Sequence, residues 1–249
     1  MRPEPDLAGA VHGAPGAAES SGLSIVVPVL NEAGGIVATL AALSPLRARG
    51  VEVVLADGGS EDATVAMAAA WCDRVVTAPR GRAAQMNAGA RAANGRLLLF
   101  LHADTVLPED ADRLIMRSLD ERGFRWGRFD VCIRGASRWL PMVAACMNLR
   151  SRLTGIATGD QAMFCTREAF DAVGGFPGIA LMEDIELSAR LRRLGAPACL
   201  RPRVITSGRR WDRDGAWPTI LLMWRLRLAH FLGASPEALA RRYRGEGSR

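Results

Sequence analysis

Short apolar runs alternate with mixed apolar and polar stretches along the first hundred residues. The runs have the length and composition of buried strands, and the stretches between them are long enough for helices. Strands are predicted over 23–29, 51–55, 74–77 and from 97 onward, and helices over 36–49, 61–71 and 83–93. Ser60 is placed to cap the second of these helices. The alternation predicts right-handed crossovers and a parallel, doubly wound sheet.

The run at 97–105 is the most informative of the four. Its Leu-Leu-Leu-Phe-Leu segment is typical of a strand buried on both faces of a parallel sheet. The run ends in His102 and Asp104, two potential metal ligands one residue apart. Open α/β sheets bind ligands outside the carboxyl ends of their strands. The pattern therefore predicts a strand that carries a metal-binding carboxylate into a pocket.

The second half of the chain is patterned less regularly. Strands are predicted over 126–133 and 199–206, and helices over 108–123, 137–153, 181–194 and 218–232, with a short helix from Thr166. The helix at 218–232 is apolar almost all round and has no clean polar face. The tail after Pro236 is basic and is expected to fray. Residues 1–21 are rich in Ala, Gly, Pro and Glu and are expected to be disordered.

Composition narrows the class of protein. The 249 residues are 49% apolar, enough for a substantial core. All 32 basic residues are arginines spread along the chain, so the net charge of +6 does not indicate a nucleic-acid partner. The five scattered cysteines form no Cys-x-x-Cys pair, which argues against disulfides and zinc and predicts a reducing cytoplasm. No run approaches the ~20 apolar residues of a membrane helix, and residues 1–21 lack the apolar segment of a signal peptide.

Charged residues follow the early strands at what would be one edge of the sheet. Asp57 and Asp104 each come directly after an apolar strand, and Glu32 follows a third. A lone aspartate there is usually a turn former or a helix cap, but three acids at one edge favour a functional site. Arg80 and Arg82 lie between the remaining strand and a helix start, where guanidinium and free backbone N–H groups suit an anion.

Absent signatures restrict the chemistry further. The chain has no G-x-x-x-x-G-K-[ST] loop, which excludes a P-loop NTPase, and no G-x-G-x-x-G after its first strand, which argues against a Rossmann dehydrogenase. Carboxylates together with arginines suit a nucleotide diphosphate, whose charge calls for Mg²⁺ or Mn²⁺ and oxygen ligands.

Five motifs in order resemble those of the family 2 glycosyltransferases of GT-A fold. They are Val27-Pro28-Val29-Leu30-Asn31-Glu32, Asp57-Gly58-Gly59-Ser60, His102-Ala103-Asp104, Gly159-Asp160-Gln161 and Glu183-Asp184, and they fall within three quarters of the chain. Each is weak alone, but the ordered set is specific. The resemblance implies an α/β GT-A domain over 22–212 with a mostly parallel central sheet. Its nucleotide-binding half would be 22–105 and its acceptor and catalytic half 106–212, followed by an apolar C-terminal helix and basic tail over 213–249.

The resemblance also implies donor and metal residues. Four residues would line the nucleotide base and ribose: Pro28, Asn31, Glu32 and Asp57. Asp160 and Gln161 would belong to the same donor-binding set. Asp104 matches the last aspartate of the family's metal-binding D-x-D motif, and His102 replaces the first. That departure leaves the metal identity open between Mg²⁺ and Mn²⁺, and a His102 that only hydrogen-bonds is an equal alternative.

In the family, the Glu-Asp pair provides the catalytic base. By resemblance, Asp184 would take a proton from the acceptor hydroxyl while that oxygen attacks the anomeric carbon, with Glu183 as a helper. The metal, Arg80 and Arg82 would stabilise the departing diphosphate, and the single displacement would invert the anomeric configuration. The alternative, in which both acids merely favour the first turn of a helix, stays open.

Ser207-Gly208-Arg209-Arg210-Trp211 resembles the Q-x-x-R-W motif of processive members, with serine in place of glutamine. Arg210 and Trp211 match and would belong to the donor-binding set, and Arg210 is expected to contact the diphosphate or close the site. Since the chain has no membrane spans to conduct a polymer, a single hexose-like sugar is expected to be added.

The acceptor side is the least defined. The helices at 137–153 and 218–232 are either ordinary core or an apolar surface for a lipid-like acceptor or the inner face of a membrane. The variants His-Ala-Asp-Thr, Gly-Asp-Gln-Ala and Met-Glu-Asp resemble a short stand-alone bacterial branch associated with arsenosugar biosynthesis or described as carotenoid-acid glycosyltransferases.

The expected function is therefore transfer of one sugar from a nucleotide-diphospho-sugar, with UDP favoured, to a hydroxyl or carboxylate of a small or lipid-like acceptor. Two alternatives remain. A sugar-nucleotidyltransferase would need a G-x-G-x-R loop that 29–34 lacks. A non-catalytic nucleotide-binding domain is weakened because the metal and base positions both hold aspartate.

Overall fold

The computed structural model describes residues 22–244, so the predictions for 1–21 and for the last five residues lie outside the described part. Eight strands form one curled sheet in the order β3-β2-β1-β4-β7-β6-β8-β5. They are β1 Leu23–Val29, β2 Glu52–Asp57, β3 Arg74–Thr77, β4 Leu97–Phe100, β5 Thr105–Val106, β6 Trp126–Arg134, β7 Phe164–Thr166 and β8 Ala198–Ser207. The first four strands pair in parallel, as do β6 and β8, while β7 and β5 pair antiparallel to their neighbours. The predicted mostly parallel α/β sheet is confirmed.

Helices cover the sheet, and three more follow the last strand at the C-terminal end of the described chain. They are α1 Ile36–Ala41, α2 Ser44–Arg47, α3 Thr64–Ala68, α4 Arg82–Ala92, α5 Ala111–Met116, α6 Leu140–Thr154, α7 Arg167–Ala172, α8 Glu183–Arg192, α9 Arg209–Asp214, α10 Ala216–Phe231 and α11 Pro236–Arg244. Among residues 22–244, no helix combines the length and apolar character needed to cross a bilayer.

Strand β4 passes through the core as its sequence predicts. Leu97 and Leu99 belong to the apolar cluster on one face of the sheet, and Leu98 and Phe100 belong to the cluster on the other. The three leucines are fully buried. Because successive side chains of a strand point to opposite faces, only an unbroken apolar run can fill both layers at once.

The predicted helix at 36–49 is wrong as a single element. It is divided into α1 and α2, with Pro45 in the first turn of α2. Proline has no backbone N–H and its ring clashes with the preceding turn, so it starts the second helix instead of continuing the first.

The predicted helix at 61–71 is also shorter than expected. Helix α3 begins only at Thr64 and passes into a single 3₁₀ turn at Ala69–Trp71. Ser60 does not cap it, because the Ser60 hydroxyl donates to Asp57 Oδ1 at 2.6 Å. The predicted helix at 108–123 likewise starts late, at Ala111, and ends in a π-helical segment at Arg117–Glu121.

The largest correction concerns the C-terminal tail. The segment after Pro236, expected to fray, forms helix α11, and Leu239 is fully buried in a small apolar cluster with Met182 and Leu226. Its basic composition concealed an amphipathic helix, since Arg241 and Arg242 are exposed while Leu239 and Ala240 are buried. Helix α9 was not predicted either.

Candidate functional site

The carboxyl ends of β1 and β4 open onto a cavity of about 800 Å³. Its far wall comes from α8, α9, α10 and α11. Ten of the fourteen residues singled out from the sequence line it: Pro28, Glu32, Arg80, Arg82, His102, Asp104, Asp160, Glu183, Arg210 and Trp211. The other four, Asn31, Asp57, Gln161 and Asp184, lie outside the lining. The parallel register explains this convergence, because strands paired in parallel end at the same edge.

Asp57 and Asn31 organise the loops at this edge instead of facing the cavity. Asp57 is buried and accepts the backbone N–H groups of Gly59 and Ser60, both at 3.1 Å. The Asn31 N–H donates to Ser60 Oγ at 2.9 Å, and Asn31 Oδ1 accepts the Glu61 N–H at 2.8 Å. The two residues therefore tie the loop after β1 to the loop after β2.

Gln85 is a site residue that sequence reasoning missed. It is buried on α4, lines the cavity, and its Nε2 donates to the carbonyl oxygens of Val29 at 2.6 Å and Ala56 at 3.1 Å. It thus fastens the ends of β1 and β2 to α4. A polar residue on the buried side of a helix between Ala83 and Met86 was the available signal.

A cation lies between two of the predicted carboxylates. Arg209 Nη2 is 3.5 Å from Asp104 Oδ2 and 3.7 Å from Glu32 Oε2. The two acids are one-third exposed and can therefore be reached from the cavity. Sequence reasoning did not assign Arg209 to the site. The Arg209 guanidinium therefore places a positive charge between these two carboxylates.

The carboxylates of Asp104 and Glu32 fit a divalent metal ion that also binds phosphate. Mg²⁺ and Mn²⁺ take oxygen ligands, and Mg²⁺ is commonly held by one or two carboxylates plus substrate phosphates. Asp104 and Glu32 supply such carboxylates. Within residues 22–244, no group of three or more His, Cys, Asp or Glu side chains converges as a complete protein cage. A metal here would depend on a bound phosphate group for its remaining ligands.

His102 contacts Asp160 and Gly159. Its Nδ1 is 3.4 Å from Asp160 Oδ1, while Nε2 is buried and has no hydrogen-bond partner in the described chain. A Cβ atom on Gly159 would come within 2.4 Å of that Nε2, so only glycine fits beside the ring. Partial burial opposes ionisation of the Asp160 carboxyl, but the neighbouring His102 and Arg82 hold its pKa below its usual value. This geometry favours the hydrogen-bonding role for His102.

Glu183 and Asp184, at the start of α8, have different surroundings. Glu183 is buried, lines the cavity, and lies 3.7 Å from Arg82 Nη1. Burial and the neighbouring Asp184 charge raise the pKa of Glu183 against the opposing effect of Arg82. Asp184 instead accepts the Gly159 N–H at 2.7 Å through Oδ2. The structure therefore places Glu183, and not Asp184, on the cavity side.

Gln161 lies behind the site. It is fully buried, and its Nε2 donates to Ser151 Oγ on α6 at 3.0 Å. Gln161 thereby anchors the 3₁₀ turn Gly159–Gln161, which carries the Asp160 carboxylate and the Gly159 N–H. Its contribution is to position its neighbours.

Helices α9, α10 and α11 form what we call the C-terminal wall of the cavity, and Arg210 makes several contacts within it. Its guanidinium stacks 3.7 Å from the ring centre of Tyr243, donates to the Tyr243 carbonyl at 3.1 Å, and lies 3.7 Å from Asp214 Oδ2. Tyr243 lines the cavity and was missed because the tail was expected to fray. Arg80, by contrast, is largely exposed at the rim, 3.9 Å from the exposed Glu61 carboxylate.

Many solved structures share this architecture, among them the following three. Glucosyl-3-phosphoglycerate synthase from Mycobacterium tuberculosis, in complex with Mn²⁺, UDP and glucosyl-3-phosphoglycerate, has 23% identity and a TM-score of 0.61 over 86% of this chain and 79% of its own. Mannosyltransferase PcManGT from Pyrobaculum calidifontis, in complex with GDP-Man and Mn²⁺, has 21% identity and a TM-score of 0.58 over 84% of this chain and 61% of its own. S. aureus TarS 1–349 in complex with UDP-GlcNAc has 17% identity and a TM-score of 0.59 over 74% of this chain and 58% of its own.

These likenesses establish the fold, and this chain spans only about three fifths of the last two structures. No protein with a curated description matches the sequence. The family model "Glycosyl transferase family 2" matches residues 24–174, more than half of the chain, and includes the loops after β1, β2 and β4. The chain therefore belongs to glycosyl transferase family 2.

Proposed function

We propose that this protein transfers one sugar, with inversion, from a nucleotide-diphospho-sugar to a hydroxyl or carboxylate of an acceptor. One observation carries the proposal: a single cavity has two groups of charged side chains on its walls. On one wall the Arg209 guanidinium lies between Asp104 and Glu32, and on another the buried Glu183 lies beside Arg82. The first arrangement suits a metal-bound diphosphate, and the second suits a proton acceptor.

The donor would bind at the edge formed by β1 and β4. Asp104 and Glu32 would hold Mg²⁺ or Mn²⁺, which neutralises the charge of the diphosphate when it is bound. Two of the structural neighbours carry Mn²⁺ with a nucleotide or nucleotide-sugar, which supports this assignment. Arg80 and Arg82 would contact the phosphates, and Pro28 would pack against the nucleotide, with UDP the favoured donor.

The acceptor proton would go to the acidic pair at the start of α8. The resemblance assigns this role to Asp184, but the Asp184 carboxylate is engaged by the Gly159 N–H. Glu183 faces the cavity, and its raised pKa makes its carboxylate a stronger base than an ordinary glutamate. We therefore assign proton transfer to Glu183 and positioning of the Gly159–Gln161 turn to Asp184.

Thermal melting tests the donor site. UDP or a UDP-sugar should raise the melting temperature when Mn²⁺ or Mg²⁺ is present, because the metal would link the diphosphate to Asp104 and Glu32. Equal stabilisation by the nucleotide in EDTA would remove Asp104 from the metal site. A screen for slow hydrolysis of nucleotide-sugars then identifies the donor before any acceptor is known.

The products distinguish the proposed reaction from nucleotidyl transfer. A glycosyltransferase releases the nucleoside diphosphate, whereas a sugar-nucleotidyltransferase releases pyrophosphate from a nucleoside triphosphate. A protein that binds the nucleotide with metal but forms neither product would support the non-catalytic alternative. The membership in the arsenosugar or carotenoid-acid branch remains a prediction, to be tested with acceptors of those two classes.

A further inference from the structure

Helix α10 exposes a continuous row of large apolar side chains. Trp217, Leu221, Trp224, Leu228 and Phe231 recur every three or four residues, a spacing that places them on one side of a helix. Together with Leu232 they form what we call the α10 face, and each of the six is between 52% and 87% exposed. Single exposed apolar residues are ordinary, but a contiguous row of this size marks an interaction surface.

Helix α6 extends this surface at one end. The Trp139 ring, next to the first residue of α6, contacts Trp217 with ring centres 5.2 Å apart. Along α6, Met142, Leu149 and Leu153 are also exposed. The apolar region therefore continues from one helix to the next.

The charges around the α10 face are positive. Neither α6 nor α10 contains an acidic residue. Arg225 is exposed beside Trp224 and has no ion-pair partner among residues 22–244, and the Arg138 guanidinium lies 5.3 Å from the centre of the Trp139 ring.

Most nearby acids are already engaged, and the exception among residues 22–244 is Glu237, which is exposed in the first turn of α11. Glu186 lies 3.0 Å from His230, and Asp214 lies 2.7 Å from Arg213. Asp212 accepts the backbone N–H groups of Ala136 and Ser137. Arg225 and Arg138 outnumber the one exposed acid, Glu237, so the free charge at the edge of the apolar face is on balance basic. A basic edge complements an anionic surface and opposes self-association through this face.

We propose that the α10 face binds an anionic lipid bilayer and lies in the plane of its interface. Trp217, Trp224 and Phe231 would enter the boundary between headgroups and acyl chains, while Arg225 and Arg138 would contact lipid phosphates. Helix α10 also contributes Thr219 and Met223 to the cavity, so the bilayer would lie within about one helix diameter, ~10 Å, of the proposed active site. Binding to lipid does not depend on the proposed transferase activity.

Flotation of the full chain with vesicles tests the proposal. The protein should float with vesicles that contain phosphatidylglycerol, and less with phosphatidylcholine alone or in high salt. The double variant Trp224→Gln/Phe231→Gln should lower partitioning by ~tenfold or more for each aromatic removed, and Arg225→Gln should lower it ~fivefold on anionic vesicles only. Met67→Gln, which alters an exposed methionine on α3, is the matched control and should float like the wild type.

The variants change exposed side chains, so their melting temperatures should stay close to that of the wild type. Failure of the wild type to float with phosphatidylglycerol vesicles would overturn the proposal. So would a dimer in sedimentation equilibrium that Trp224→Gln/Phe231→Gln dissociates, because the face would then be covered by a second copy. Loss of flotation in Met67→Gln to the same extent would show nonspecific adsorption and would also overturn it.

Discussion

The two walls of the cavity are built by different interactions. At the edge of β1 and β2, buried polar side chains hold the backbone: Asp57 binds the Gly59 and Ser60 N–H groups, and Gln85 binds two strand-end carbonyls. In the opposite wall, α9 to α11, Arg210 stacks on Tyr243 within the wall itself. This wall is joined to the rest of the protein by ion pairs of the exposed Arg209, by the Asp212 carboxylate that accepts two backbone N–H groups, and by apolar packing.

This difference indicates that the strand edge is rigid and that the C-terminal wall is adaptable. Buried hydrogen bonds to backbone groups are costly to break, so the strand edge is pre-formed for a ligand. Ion pairs between exposed side chains contribute little and exchange readily. Arg209, two-thirds exposed, can therefore leave Asp104 and Glu32 when a metal and a diphosphate arrive. We therefore expect the strand edge to stay fixed and the C-terminal wall to adjust when a donor binds.

Substitution in the acidic pair should have the largest effect. Glu183→Gln should lower kcat by ~10²–10⁴-fold, because the group that accepts the proton is lost while donor binding remains. In the wild type, activity should fall as the pH drops through the pKa of Glu183, which burial and Asp184 place above the ordinary glutamate value. The pH profile of kcat measures this limb, and Glu183→Gln should abolish it.

Asp184→Asn is the matched comparison for the same pair. It should weaken the contact with the Gly159 N–H and lower kcat less than Glu183→Gln does, while the acid limb persists. The reverse order of effects would return the base to Asp184, as the resemblance implies.

Loss of one of the proposed metal-binding carboxylates should have the next largest effect, a weaker affinity for UDP with Mn²⁺. Asp104→Asn should weaken Mn²⁺-dependent UDP binding by ~100-fold, since one of the two carboxylates that face the ion is neutralised. Calorimetric titration of UDP with and without Mn²⁺ measures the change. Glu61→Gln, at an exposed acid on the same rim, is the control and should bind as the wild type does.

Removal of the Arg209 side chain tests whether the C-terminal wall competes with a metal ion for the carboxylates of the strand edge. Arg209→Ala should tighten Mn²⁺ binding in the absence of nucleotide by up to ~fivefold, because a competing cation is removed from Asp104 and Glu32. Arg213→Ala, which changes an exposed arginine paired with Asp214, should leave Mn²⁺ affinity unchanged. Weaker Mn²⁺ binding by Arg209→Ala would mean that Arg209 supports the site and does not compete for it.

The smallest effects are on stability, and they compare the walls directly. Gln85→Ala leaves the carbonyls of Val29 and Ala56 without their partner and should lower the free energy of unfolding by about 2 kcal/mol. Tyr243→Ala removes a stacking contact in the C-terminal wall and should cost about 1 kcal/mol. Urea denaturation measures both. Equal losses would contradict the distinction between a pre-formed edge and an adaptable wall.

The sequence by itself determined the sheet and the edge at which the site lies. Strand β4 was predictable because a run such as Leu97–Phe100 can only be buried on both faces. Asp104 and Glu32 were predictable as neighbours because parallel strands end together. These inferences need only the period of a strand and the direction of its pairing.

Only the tertiary structure decided how the site is completed. Which of Glu183 and Asp184 faces the cavity depends on how α8 is rotated against the Gly159 turn, a contact across 25 positions of the chain. The cation between Asp104 and Glu32 is Arg209, more than a hundred residues later. The burial of Leu239 likewise depends on α10 as its partner. Such contacts have no local pattern, because side-chain orientation across distant elements is set by packing and not by periodicity.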